Sequence, residues 1–192
     1  MKRIVLATGL VVGIFLAMRS VKPAQGADAG APPPLPMAPK PSRELAQLDF
    51  FRGKWACAGK QFRTAFGPEH TFQGSSEVSV AADGFWHLWL YQEERSAVHL
   101  GVKVQGMWGW DAANKQFVRA SGDSAGQWET QTSTGFEGDT LRWIGKSSGP
   151  LGSFDVRSTF TKQGDRQWSH ALDFRLKDGD FVRLEEVTCK KL

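Results

Sequence analysis

Residues 102–136 read VKVQGMWGWDAANKQFVRASGDSAGQWETQTSTGF. Val102, Val104, Gly106, Trp108 and Trp110 alternate with Lys103, Gln105, Met107 and Gly109. A side-chain period of two marks a strand with one apolar face. Residues 111–115 then form a polar turn, 117–122 a returning strand, 124–126 a second turn and 128–136 a third strand. The stretch is an antiparallel meander and holds no self-evident catalytic apparatus.

The same reading extends in both directions. Strands are expected at 54–62, 71–81 and 85–93 before the meander, and at 140–144, 153–162, 167–176 and 181–190 after it. Asp83-Gly84, Glu137-Gly138-Asp139, Gln163-Gly164-Asp165 and Lys177-Asp178-Gly179 punctuate them as turns. Residues 145–150 read as a loop. No helix-period segment lies between the strands. About ten short strands in sequence-adjacent hairpins avoid open edges best by closing into an up-and-down barrel. The fold class expected is therefore all-β, a calycin-like antiparallel barrel, with a β-sandwich as the competing architecture. Residues 42–52 read as one short N-terminal helix with Ser42 as N-cap and Leu45, Leu48 and Phe51 on one face. The strand 85–93, FWHLWLYQE, is apolar on both faces, so part of its outer surface is expected to be covered.

The N-terminus reads as a separate signal. Met1-Lys2-Arg3 is a positive start, Ile4 to Met18 an apolar run too short to span a bilayer comfortably, and small residues around Ala24–Ala29 offer a cleavage site. Residues 1–26 are expected to be a secretory signal peptide, with an uncleaved anchor as the alternative. Residues 27–41 are a Pro-rich tether, and 42–192 the folded domain. Lys2, Arg3, Arg19 and Lys22 precede Ala27 with no acid among them, so the net charge of +4 belongs to the leader. A neutral remainder without basic runs argues against nucleic acid as partner. Periplasmic or secreted localisation follows, with no membrane span beyond the leader. The two cysteines, Cys57 and Cys189, fall in the first and last strands, which a closed barrel sets side by side. A disulfide is expected there.

Gly-Lys-Trp at 53–55, directly after a short helix, is similar to the opening Gly-x-Trp of lipocalin-like barrels. Gly109-Trp110-Asp111 through Phe117, followed by Asp123-Ser124, resembles the middle signature of a bacterial family known as domain of unknown function 1579. Trp110 stands where that family commonly has Tyr. The resemblance implies an exported barrel related in shape to lipocalins and fatty-acid-binding proteins, and no settled activity.

Candidate sites are few. Gly122-Asp123-Ser124-Ala125-Gly126 matches a nucleophile-elbow pattern, but strand-like residues follow it and Gly, Asp and Ser are ordinary turn formers. His170 alternates with Trp168, Leu172 and Phe174 and is expected to point into an apolar interior. There it would contact a ligand head group, or, as in nitrobindin-type barrels, a haem iron. Glu186 shares the parity of Val182 and Leu184 and is expected to face the same way. Trp86, Trp108, Trp110 and Trp168 are the expected aromatic lining. Neither a cofactor nor a metal is expected, and no spacing suggests zinc or calcium. The leading functional reading is a non-catalytic barrel holding a small hydrophobic or amphipathic molecule. A solid-core envelope protein, possible as a homodimer through residues 85–91, and an enzyme acting on a lipid-like substrate are the alternatives.

Overall fold

The computed structural model describes residues 38–177 and 179–192. The expected signal peptide and most of the Pro-rich tether lie outside the described residues. A 3₁₀ helix, Arg43–Phe51, comes first. Eleven strands follow: β1 (Gly53–Gln61), β2 (His70–Ala81), β3 (Trp86–Glu93), β4 (Lys103–Asp111), β5 (Gln116–Asp123), β6 (Trp128–Ser133), β7 (Phe136–Glu137), β8 (Thr140–Gly149), β9 (Gly152–Lys162), β10 (Gln167–Arg175) and β11 (Val182–Lys191). Every pairing is antiparallel, and the order is β6-β5-β4-β3-β2-β1-β11-β10-β9-β8. A direct β6–β8 pairing closes the ring, so ten strands make the barrel and β7 is a two-residue addition beside β8.

Three local features differ from the sequence expectation. The N-terminal helix is 3₁₀ along its whole length, and the Ser42 hydroxyl bonds the Glu44 carboxylate rather than a backbone N–H. The long third strand of the meander breaks at Gly135, whose φ of +109° suits glycine, and this releases Phe136 into β7. The expected loop at 145–150 is instead the second half of β8. Its Gly145 presses against the Thr130 carbonyl of β6 at the closing seam, where any Cβ would collide. Close approach of two backbones, rather than a turn, explains that glycine.

The disulfide forms as expected. Cys57 and Cys189 are directly opposed in the β1–β11 ladder and are bonded to each other. The 3₁₀ helix crosses one end of the barrel and inserts Leu45, Leu48 and Phe51, all buried. The Phe51 ring meets Trp108, Phe160 and Trp168 edge-on at 5.4, 5.6 and 5.9 Å, rings from three different strands. Trp55, Trp143 and Phe117 complete this sealed aromatic end. Each such buried ring contributes on the order of 2 kcal/mol. The other end of the barrel is not filled this way.

The outer face of β3 is less covered than its composition suggests. Leu88 and Leu90 remain 39% and 44% exposed among the described residues, beside Met107 at 43%. Leu88 pairs directly with Met107 across the β3–β4 ladder.

Candidate functional site

A cavity of about 510 Å³ occupies the end of the barrel opposite the helix. Its mouth is apolar, with Phe66, Val98, Leu100, Leu151 and Phe154 around it. Its inner walls carry Trp89, Tyr91, Trp168 and Val187 together with a polar cluster from five strands: Glu93, Arg119, Glu129, His170 and Glu185.

Strand alternation delivers these groups. On β3 the inward residues are His87, Trp89, Tyr91 and Glu93. On β5 they are Phe117, Arg119 and Ser121. On β6 the inward face is polar, Gln131 and Ser133 being buried. On β10 it is Trp168 and His170.

Arg119 is only 4% exposed. Its guanidinium lies over the Trp89 ring at 4.7 Å and near Phe160 at 5.8 Å. Its Nη2 donates to Glu129 Oε2 at 3.5 Å, and Gln131 Nε2 donates to the same oxygen at 3.2 Å. Nε and Nη1 of Arg119 find no partner among the described residues. Burial raises the Glu129 carboxyl, and the guanidinium opposes that rise.

Glu93 is better satisfied. Its oxygens accept from Tyr91 Oη at 3.3 Å and the Val102 N–H at 3.2 Å, and one is bonded to His99 Nε2. The Tyr91 hydroxyl is held protonated by burial first and by the nearby Glu185 and Glu93 carboxyls second.

His170 lies flat against Phe160, ring centres 4.4 Å apart. Its Nδ1 is 3.8 Å from Glu185 Oε1, and its Nε2 has no partner among the described residues. Burial, then the charges of Arg119 and Arg183, push the imidazole down to about 3, so it is neutral at ordinary pH. Burial, then the Glu93 and Glu129 carboxylates, push Glu185 up to about 8. A neutral imidazole and a protonated carboxyl therefore share one wall.

The structure brings together some of the expected site residues and separates others. His170 and Trp168 line the cavity. Trp108 is buried in the sealed aromatic end below it. Trp110 packs edge-on against Phe117 at 4.9 Å, away from the cavity. Trp86 is on the outer face of β3, laid across Gly109 of β4. Glu186 is also outside: its side chain is 55% exposed and pairs with Arg183, whereas that of Glu185 is 15% exposed and faces inward. The cause is a bulge. Leu172 opposes Glu185 but Asp173 opposes Arg183, so Leu184 is an extra residue that reverses the parity of β11. Reading the face from Val182 and Leu184 thus selects the wrong glutamate.

The Gly122–Gly126 segment is a structural turn. Asp123 Oδ1 accepts the N–H groups of Ala125 and Gln127 at 2.8 and 3.0 Å, and Ser124 Oγ accepts the Lys103 N–H at 3.1 Å. Among the described residues no histidine bonds Ser124, and no group of three His, Cys, Asp or Glu could hold a metal ion. A haem on His170 would need Nε2 open to the cavity. That nitrogen is enclosed and the ring is covered by Phe160, so the residues as placed do not fit that group.

No family model and no curated relative matches the chain. Among solved structures it is similar to Rv2717c from M. tuberculosis, at 12% identity and a TM-score of 0.61, covering 80% of this chain and 99% of that one. Two further similarities are weaker. A redesigned β-barrel has 13% identity, TM-score 0.37 and coverage of 80% and 99%. A barrel bound to DFHBI, EF1p2_mFAP2b, has 11% identity, TM-score 0.38 and coverage of 78% and 99%. The first similarity supports the closed antiparallel barrel and no more than the fold.

Proposed function

We propose that this chain is an exported barrel of the domain of unknown function 1579 type that binds a small amphipathic molecule without transforming it. The observation that carries this reading is the cavity itself. Its volume of about 510 Å³ falls within the usual range for small-molecule sites. An apolar mouth above an under-bonded polar cluster suits a ligand with an apolar body and a polar head. Export is supported by the disulfide, which persists in oxidising compartments. No helix among the described residues is long and apolar enough to cross a membrane.

The test is a titration with N-phenylnaphthylamine, an uncharged dye that brightens in apolar surroundings. Saturable one-to-one binding is expected. Ser121→Phe, which pushes a ring into the cavity, should abolish it. Binding that survives Ser121→Phe would place the dye elsewhere and contradict the reading.

The exposed Leu88, Leu90 and Met107 favour a second reading, a homodimer through the outer face of β3 and β4. Sedimentation velocity of Leu88→Lys against wild type tests it, and a wild-type monomer would end it.

A further inference from the structure

We infer that the outer wall formed by β3, β4, β5 and β6 is a two-fold interface with a second copy of this chain, centred on β5. This rests on the second reading above and widens its contact, from Leu88 and Met107 across the wall to Trp128.

Charge divides the outside of the barrel in two. β1, β2 and β8 to β11 are laced with surface ion pairs, Lys54–Glu77, Lys146–Asp155, Arg175–Asp155 and Arg183–Glu186 among them. The outward positions of β3, β5 and β6 carry no charged residue, and on β4 only the two end residues, Lys103 and Asp111, do. A partner with charges on its docking face would bury them here without counter-charges, at a high desolvation cost. An uncharged face is matched by another like it, and a second copy of this chain supplies one.

The side-chain sizes follow a pattern. Two register rows cross the wall, Leu88–Met107–Ala120–Thr130 and Leu90–Gln105–Gly122–Trp128. The smallest members, Ala120 and Gly122, both lie on β5. Leu88, Leu90 and Met107 stand out on one flank. Trp128 and Ile144, each 54% exposed, stand out on the other, Ile144 lying beside Thr132 across the β6–β8 seam. A Cβ built on Gly122 would meet only the Gln127 carbonyl, at 3.7 Å, so the space over β5 is open there.

This pattern suits two convex walls in contact. The central strand of a convex wall lies nearest its partner, and the flanks fall away. Small residues in the middle let the walls approach, and bulky ones at the flanks reach across the widening gap. A two-fold axis along β5 sets the Leu88–Met107 flank of each copy against the Trp128–Ile144 flank of the other, apolar on apolar. Depletion of charge with Trp and Met at the contact is the composition of a protein interface core. A lipid surface matches less well, because Gln105, Thr130 and Thr132 interrupt the apolar groups and Lys103 is the one cation on the wall.

The experiment is sedimentation velocity of the full chain over a wide concentration range. The wild type should dimerise reversibly. Trp128→Lys and Ala120→Lys should each weaken the dimer about tenfold or more. Val98→Lys, at the exposed cavity mouth, should leave it intact. Ala120→Cys, close to the axis, should crosslink to its own copy through a short bismaleimide. A dimer that Leu88→Lys breaks and Trp128→Lys does not would overturn the wider face and leave the β3–β4 contact of the second reading standing. A dimer in which Ala120→Cys fails to crosslink puts the axis elsewhere and overturns the inference as well. A protein that stays monomeric throughout ends both, and one that floats as a monomer with phosphatidylcholine vesicles gives the wall to lipid instead. The ligand-binding reading is untouched by any of these results.

Discussion

His170 and Glu185, diagonal neighbours on β10 and β11, face each other inside the barrel with Nδ1 and Oε1 3.8 Å apart. Neither carries a charge near neutral pH, because burial is the largest influence on both. Their effects on stability have opposite slopes. Below its folded value of about 3 the imidazole is charged in both states, and between about 3 and its ordinary 6.5 only the unfolded chain binds the proton. Stability contributed by His170 is thus present above pH 6.5 and lost as pH falls toward 3. For Glu185 the folded chain keeps a proton that the unfolded chain releases above 4.5, so stability is lost as pH rises from 4.5 to about 8. Chemical denaturation across pH should show a plateau between these limits and a fall on either side, each limited to about 1.4 kcal/mol per pH unit. Glu185→Gln should abolish the alkaline fall and leave stability rising with pH up to about 6.5, the slope that His170 alone produces. An unchanged alkaline slope in that variant would contradict the buried, protonated carboxyl.

Arg119 and Glu129 form the buried charge pair of the cavity. Arg119→Met leaves a buried carboxylate without its counter-charge and should cost about 3–5 kcal/mol. The double variant Arg119→Met, Glu129→Gln should recover a substantial part. Urea melts of the wild type, Arg119→Met, Glu129→Gln and the double variant measure this directly, and additive single effects would show that the two groups are not coupled.

The Cys57–Cys189 bond spans 132 residues of sequence and crosses the β1–β11 ladder. Replacing both cysteines by alanine should lower stability by about 3–5 kcal/mol through the longer loop freed in the unfolded chain. The barrel should still close, since the ladder hydrogen bonds on both sides remain. Far-ultraviolet circular dichroism of the variant should therefore match wild type at low temperature.

Phe51 closes the sealed end. Phe51→Ala removes a fully buried ring that touches three strands and should cost about 3–5 kcal/mol. Because the cavity lies at the other end, ligand or dye affinity should change little when measured where the variant is folded. A large loss of affinity would show that the plug and the cavity are one cooperative unit.

The barrel was legible in the sequence because its signals are local. Period-two alternation and Gly, Asp and Asn turns mark each hairpin independently, and closure then follows from the need to bury edges. The cavity was less legible, because its membership depends on which face looks inward. In β3 both faces are apolar, so Trp86 and Trp89 read alike, and only the fold sends Trp89 inside. In β11 the bulge at Leu184 exchanges Glu186 for Glu185. In β6 the inward face is Gln131 and Ser133, which carries no apolar stripe to announce it. Arg119 did leave a trace: it shares the parity of Phe117 and Ser121, so a cation stands on the buried side of its strand. His170 was readable for the same reason, an imidazole in register with Trp168 and Phe174.

The most direct test is native mass spectrometry of the protein purified gently from its own host, with an absorbance scan of the same sample. A retained organic mass is expected, lost in the Ser121→Phe variant. A bare protein mass, together with failure of every small apolar probe to bind, would contradict the ligand-binding barrel. A Soret band would contradict the enclosed His170 Nε2 and give that nitrogen to an iron instead.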